Sequence, residues 1–545
     1  MIVWLLLVGL FAYFIVRQSV QGLTRTPVWL LWLVMMTPAF IWTAWGLIHG
    51  ADQPVPPYLA VPPFVLCPLL YIFLVQRGRG PNPSDRAQNS AQNSTEEGAA
   101  AGDRGDAVSA DPASPLEALA LAAASRLPKT RLLDRSDEQE LQDCFPWSVF
   151  YLRSIEHRPQ AAICYGQLRA NPEKAYETVL DNIRQRFSDR FLLVFQEGKN
   201  GKPFFALVPN PTAIAAAATP IPAAQGAPTP EPTTAEEIAL ALATQPAPVR
   251  ATPERTGAWA LTLLMATFLT LTLAGVALVN PAAAEASGRV DPQTLRGGVA
   301  YAIAMLAVVG IHELAHYFAA RRHHIQMAPP LFIPLPAFLG TLGAYAQQQS
   351  PAPNRRALFD TAIAGPLAGL VVSLPLLVWG LSLSRTIPLE AETASLLNVN
   401  ALDPHYSAAI ALAAKLALGD ALNLGRAIDL HPLAIAGYAG LWLAALHLLP
   451  IGQLDGGRIV HAMLGQRTGA IVGQVARLAV LVLAFARNEF LPLALLLFFM
   501  PSVDRPALND VSPLDNGRDF LGLVALVILM AIILPAPRLL LQALG

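Results

Sequence analysis

The chain has 545 residues, 54% of them hydrophobic and only 14% charged, and its mean hydropathy is +0.44. Soluble globular proteins carry about 25% charged residues, so this composition predicts a multi-span membrane protein with some soluble sequence attached. A net charge of −1 without a long basic run argues against nucleic-acid binding, and Cys67, Cys144 and Cys164 make neither a disulfide framework nor a thiolate metal site.

Residues 1–76 read as an N-terminal membrane segment with three spans, Ile2–Val16, Val28–Ile48 and Tyr58–Val75. Met1 runs into apolar sequence with no basic n-region or cleavage site, which predicts an uncleaved first span; the lack of a transit-peptide pattern favours a bacterial protein. Arg17 and Arg25 in the first loop, and Arg77 and Arg79 after the third span, put these stretches in the cytoplasm by the positive-inside rule.

Residues 77–127 are rich in Gly, Ala, Ser, Asn, Asp and Pro and read as a disordered linker. A small soluble α/β domain follows within 128–210. Val149–Leu168 is extended in pattern, and Asn171 with Pro172 starts a helix whose buried face is Tyr176, Val179, Leu180, Ile183 and Phe187. Phe191–Phe195 and Phe204–Val208 flank Lys199-Asn200-Gly201-Lys202, a hairpin signal. No catalytic constellation is evident in this domain, which points to binding or regulation. Residues 211–257 form a second linker rich in Ala, Pro and Thr, with one capping-box-like start at Thr234 and Glu237.

Residues 258–545 return to membrane sequence. Candidate spans are Ala258–Val279, Val299–Ala320, Ala357–Leu383, Leu433–Leu449, Ile471–Ala484, Phe490–Met500 and Phe520–Leu534. The fold class is therefore a mainly α-helical polytopic membrane protein of roughly ten crossings, with the α/β domain inserted between the N-terminal spans and a membrane core. Tyr406–Leu422, an Ala/Leu helix with Lys415 and Asp420, suits the outer interface.

Within the span Val299–Ala320 lies His312-Glu313-Leu314-Ala315-His316. Histidines four apart stack on one helix face, so both imidazoles reach a single metal, and Glu313 beside them is placed to act as a base. Arg321, Arg322, His323 and His324 mark the cytoplasmic end of this span, with His323 and His324 as rim residues. His312 lies about 14 Å from Arg321 along the axis, inside the bilayer in the cytoplasmic half. Hydrolysis at that depth needs a wet, helix-enclosed cavity. A catalytic zinc usually takes three protein ligands, and the candidate third is Asp455 in Leu454-Asp455-Gly456-Gly457-Arg458, just past the span Leu433–Leu449.

These residues resemble the site-2 protease family of intramembrane zinc metalloproteases. The family's His-Glu-x-x-His motif matches His312, Glu313 and His316. Its Asn-x-x-Pro-x-x-x-Leu-Asp-Gly motif matches Pro450, Leu454, Asp455 and Gly456. Gly340-Thr341-Leu342-Gly343 and Ala364-Gly365-Pro366 are similar to elements of the cyanobacterial and chloroplast members. The resemblance implies one zinc ion held by His312, His316 and Asp455, with Glu313 as general base. It implies a membrane-protein substrate, single-span or otherwise, cut in regulated intramembrane proteolysis, and a home in a bacterial plasma membrane or a thylakoid. His447 stands where the family has its catalytic Asn. An imidazole can donate a hydrogen bond to the substrate as that Asn does, or it can compete for the metal.

Met327–Gln349, rich in Pro and Gly, reads as a re-entrant loop with strand-like pieces Leu331–Ile333 and Thr341–Ala346. It is placed to pair with an unwound substrate, with the Gly343 amide as one donor. Two other readings remain: a proteolytically inactive membrane scaffold, motivated by His447 and the linkers, and a metal transporter. A transporter calls for metal sites strung across the bilayer, whereas the charged residues here cluster at one depth.

Overall fold

The computed structural model describes residues 27–49, 133, 135–158, 161–198, 201–210, 253–279, 292–335, 339–346, 348–388, 398–419, 426–486, 504 and 506–536, with scattered positions at 67–74 and 490–500. The first expected span, most of the third, the first linker, the second linker up to residue 252 and most of Phe490–Met500 fall outside these residues. The chain divides into two compact units, and the described helix of the first is α1, Val28–His49. It bends by 53° between Val34 and Ala39, where Pro38 removes a backbone donor.

The second unit begins with the α/β domain: α2 (Arg135–Asp143), β1 (Phe150–Arg158), β2 (Ala161–Leu168), α3 (Pro172–Phe187), β3 (Phe191–Glu197) and β4 (Pro203–Pro209). The sheet order is β1-β2-β4-β3, with β2/β4 and β3/β4 antiparallel, so β3 is an edge strand within its own sheet. The Asn171 side chain accepts from the Glu173 amide to cap α3, which lays Tyr176, Val179, Ile183 and Phe187 on the sheet. The Tyr176 hydroxyl donates to the Leu193 carbonyl at 3.2 Å. Stacked Phe195 and Phe205, with ring centroids 4.1 Å apart, fill the centre.

The membrane core follows as α4 (Pro253–Val279), α5 (Pro292–Arg322), β5 (Leu331–Pro334), β6 (Thr341–Tyr345), α6 (Arg355–Ser382), β7 (Arg385–Pro388), α7 (Ala408–Leu418), β8 (Arg426–Asp429), α8 (Pro432–Leu448), α9 (Asp455–Leu464), α10 (Gln466–Ala486) and α11 (Asn516–Ile533). Among the described residues five helices are long and apolar enough to cross a membrane: α4, α5, α6, α10 and α11; the bent α1 would make six. The expected ten crossings are therefore not reached among these residues. Leu433–Leu449, read as a span, is the 17-residue α8, which ends before Pro450. The second linker was expected to run to Gly257, but helix α4 already begins at Pro253. Tyr406–Leu422 starts at the last residue of a 3₁₀ turn, Pro404–Tyr406, and contains the 11-residue α7.

The core is sealed by small residues. A Cβ on Gly437 of α8 would lie 2.4 Å from the Leu377 amide nitrogen of α6, and one on Gly440 would lie 2.2 Å from the Ser373 hydroxyl. Backbone-to-backbone approach of this kind is how apolar helices associate where burial in lipid gives no hydrophobic gain. It fixes α6 against α8, and these helices carry the walls of the site.

Candidate metal centre

Helix α5 supplies the first two donors because its 31 residues run unbroken from Pro292 to Arg322, so His312 and His316 face the same neighbour, α6. Glycines on α6 leave room for the rings. The Cβ that Gly365 lacks would sit 2.1 Å from His316 Nε2, and that of Gly369 would sit 3.1 Å from His312 Nδ1. His316 Nδ1 lies 2.7 Å from the Thr361 carbonyl, which only accepts, so Nδ1 carries the proton and Nε2 presents its lone pair.

Asp455 arrives from a different direction. After α8 the chain turns at Pro450 and starts α9 with Asp455 in its first turn. This turn is wound so tightly that a Cβ on Gly456 would lie 1.9 Å from the Leu448 carbonyl oxygen, and one on Gly457 2.3 Å from that of Gly452. The Asp-Gly-Gly sequence is thus the steric condition for bringing that carboxylate to α5.

The structure brings together four of the five expected residues: one ligand atom from each of His312, His316, His447 and Asp455 lies within 4.8 Å of the others. His316 Nε2 is 3.2 Å from His312 Nε2 and 3.3 Å from Asp455 Oδ2, while His312 Nε2 is 3.9 Å from the same oxygen. Tetrahedral zinc with bonds near 2.0–2.1 Å spaces its ligands by about 3.3 Å. His312, His316 and Asp455 are 2%, 7% and 6% exposed. Buried donors that converge in this way fit a cation between them, and two imidazoles with one carboxylate suit zinc. Glu313, next to His312 on α5, is also buried.

His447, near the end of α8, places Nδ1 2.8 Å from Asp455 Oδ2. That is the length of a charge-assisted hydrogen bond and shorter than a ligand–ligand edge, so Nδ1–H is committed to the carboxylate. Nε2 is the atom left for any contact with substrate. His323 lies apart from these donors; its Nε2 meets Asp360 Oδ2 at 2.9 Å.

The strand-like pieces of the Pro/Gly-rich loop form an antiparallel hairpin, β5 with β6. It is pinned to the core by Thr270 Oγ1 donating to the Gly340 carbonyl at 2.7 Å and Tyr301 Oη donating to the Leu339 carbonyl at 2.9 Å. Phe332 approaches Gly310, half a turn before His312 on α5. The expectation for Gly343 needs correcting. Its amide donates to Thr341 Oγ1 at 3.0 Å, and φ is +99°, so it is not free for an incoming strand.

Sequence reasoning missed a group of ion pairs on α9 whose acids, Asp504 and Asp510, are buried. Arg458 Nε pairs with Asp504 at 2.7 Å, and His461 Nε2 meets both oxygens of Asp510 at 3.0 and 3.1 Å. Asp504 and Asp510 belong to a stretch rich in Asp and Pro between apolar segments. Several acids in such a stretch were the available signal.

The fold and this donor set define a membrane-embedded metallohydrolase with a His-Glu-x-x-His helix. Comparison with known proteins agrees. Residues 300–486 match peptidase family M50, and residues 139–215 match the EGY3 middle domain. The chain is 28% identical over 420 residues to the probable zinc metalloprotease EGY2, chloroplastic, of Oryza sativa subsp. indica, covering 76% of this chain and 67% of that protein. It is 33% identical over 240 residues to the probable zinc metalloprotease EGY1, chloroplastic, of Arabidopsis thaliana, covering 43% and 42%. A third relative, the probable zinc metallopeptidase EGY3, chloroplastic, of Arabidopsis thaliana, is 30% identical over 275 residues, covering 49% and 46%. No solved structure matches. Residues 300–486 thus carry the match to peptidase family M50, the site-2 protease family, and this match, the names of the relatives and the donor set together support a zinc metalloprotease.

Proposed function

We propose that this chain is an intramembrane endopeptidase that hydrolyses peptide bonds in or near transmembrane segments of other membrane proteins, as a step of regulated intramembrane proteolysis. One observation carries the reading: three buried donors from two separated helices, α5 and α9, converge at zinc-ligand spacing beside a buried glutamate. His312, His316 and Asp455 are the ligands. When bound, zinc acts as a Lewis acid on the scissile carbonyl and lowers the pKa of water.

The protein's own groups do the rest. Thr361 locks the His316 tautomer, and His447 orients the Asp455 carboxylate through its Nδ1–H. Glu313 takes a proton from the attacking water and delivers it to the leaving nitrogen. His447 Nε2 is the atom left to meet the substrate where other members carry Asn. A transmembrane substrate has to unwind before its backbone can react, and the β5–β6 hairpin beside α5 offers a wall along which an extended segment can lie. The arginines that close α5 favour a site in the cytoplasmic half of a bacterial plasma membrane or a thylakoid, in line with relatives named as chloroplastic.

The test is purified protein with zinc and a single-span substrate. Wild type cleaves, whereas Glu313→Gln keeps its zinc and loses cleavage by about 10²- to 10⁴-fold. Cleavage by Glu313→Gln at the wild-type rate would remove Glu313 from the mechanism. A second reading, a non-proteolytic scaffold in which His447 closes a four-donor site, is favoured by all four ligand atoms lying within 4.8 Å. The absorption spectrum of the cobalt-substituted protein separates the two, because a site closed by four protein donors does not respond to added anions.

A further inference from the structure

The α/β domain has no place in the chemistry above, yet its edge strand is not free. The Phe195 amide of β3 donates to the Leu508 carbonyl at 2.7 Å, and the Asp510 amide donates to the Phe195 carbonyl at 2.9 Å. Leu508–Asp510 thus runs parallel to β3 as an added strand, with Phe195 paired to Asn509. On its other side the same segment donates from Leu508 to the Ala352 carbonyl at 2.8 Å and from Asn509 to the Pro353 carbonyl at 3.0 Å. Residues 352–354 lead directly into α6. A bidentate pair between Arg356 and Glu173 of α3, at 2.9 and 3.3 Å, ties down the same junction.

The side chain of Asp510 extends this junction to the metal centre. It accepts from Arg355 Nε at 3.2 Å and meets His461 Nε2 at 3.0 Å. Asp510 is 4% exposed and His461 3%. His461 lies on α9, the helix that begins with Asp455, and Arg355 lies beside Gly465 at the end of that helix, where a cation favours the exposed carbonyls. Asp510 therefore holds the far end of the helix whose near end presents a metal ligand.

Backbone satisfaction makes the arrangement mutual. Without β3, the Leu508 carbonyl and the Asp510 amide would lose their partners in a buried segment; without that segment, β3 would be a bare edge. We propose that the α/β domain is an integral part of the peptidase core, joined to it through a shared strand at Leu508–Asp510, and that Asp510 is a positioning residue for the helix presenting Asp455. This positioning role rests on the metal reading given above; the shared strand does not.

The test uses the full-length protein in detergent, with hydrogen exchange and zinc affinity by chelator competition as readouts. In wild type, the Phe195 and Asp510 amides are protected as strongly as the β3–β4 ladder. Glu173→Arg speeds their exchange several-fold, and adding Arg356→Glu, which restores the pair with its charges swapped, brings protection back. Asp510→Ala lowers zinc affinity about tenfold while β1–β4 stay protected. Asp510→Asn, which keeps the volume and removes the charge, replaces it if the alanine variant is not recovered. Fast exchange at Phe195 and Asp510 in wild type overturns the shared strand. Wild-type zinc affinity in the Asp510 variant overturns the positioning role. A wild-type protein that binds no zinc overturns the metal reading and the positioning role with it, while the exchange data still decide the strand.

Discussion

Adding one methyl group on α6 should disable the metal centre. The Cβ of Gly365→Ala would lie 2.1 Å from His316 Nε2, where ordinary contact begins at 3.4 Å, so ring and methyl have to part by roughly 1 Å. The ring cannot simply retreat, because its Nδ1 is held by the Thr361 carbonyl one turn earlier on the same helix. Moving Nε2 also spoils its 3.2 and 3.3 Å spacings to His312 and Asp455. A misplacement of this size costs about 10²-fold in rate, or about 2.7 kcal/mol. Glycine-to-alanine in a helix otherwise stabilises by up to about 1 kcal/mol, so helix propensity pulls the other way. Gly369→Ala is the internal comparison: its Cβ meets His312 Nδ1 at 3.1 Å, which needs a shift of a few tenths of an ångström, and its loss should stay within about tenfold. Both variants are assayed for zinc affinity by chelator competition and for cleavage of a single-span substrate, with thermal unfolding as a control. Wild-type zinc affinity and cleavage in Gly365→Ala, or a larger defect in Gly369→Ala, would refute the reasoning.

Three further outcomes are expected. His447→Ala should lower zinc affinity about tenfold through loss of the hydrogen bond to Asp455, and His447→Asn, whose amide also donates, should recover most of it; equal affinity in all three proteins would deny His447 this part. Burial pushes the Cys144 thiol up to about 11, opposed by Arg186, and raises that of Cys164 further, so at pH 8 a maleimide should label neither residue until the protein is unfolded. Labelling of either in the native protein counts against the packing described. For Asp510, burial raises the carboxyl pKa, but His461 and Arg355 together outweigh it and hold the group below its ordinary value. With the folded pKa depressed below the unfolded value of about 3.9, its contribution is complete above that value and is lost as pH falls through the folded one. Exchange at the Asp510 amide should therefore quicken only below about pH 4; quickening already near pH 6 would assign the transition to another group.

The sequence speaks plainly where the chemistry depends on spacing within one element. His312 and His316 are one helical turn apart, which puts both rings on one face of the helix that runs unbroken through this apolar stretch. Asp455 was legible for a related reason: a Gly-Gly pair after an acid, just past a proline, marks a chain forced to turn tightly, and the contacts of Gly456 and Gly457 show how tightly. The strands of the Pro/Gly-rich loop were also legible, but the Gly343 amide was not, because a neighbouring hydroxyl took the donor. Pairing of β3 with Leu508–Asp510 left no trace in the sequence, since it uses amides and carbonyls that almost every residue carries. Asp510 is separated by 155 residues from Arg355 and by 49 from His461, so no local pattern could link them.

The close winding at Gly456 has a kinetic corollary. Asp455 cannot swing aside by a simple roll of its short helix, because the carbonyls of Leu448 and Leu449 fill the space behind it. Escape of a captured ion has to await a concerted loosening of the turn between α8 and α9, and strong chelators will find themselves limited by that breathing rather than by their own affinity.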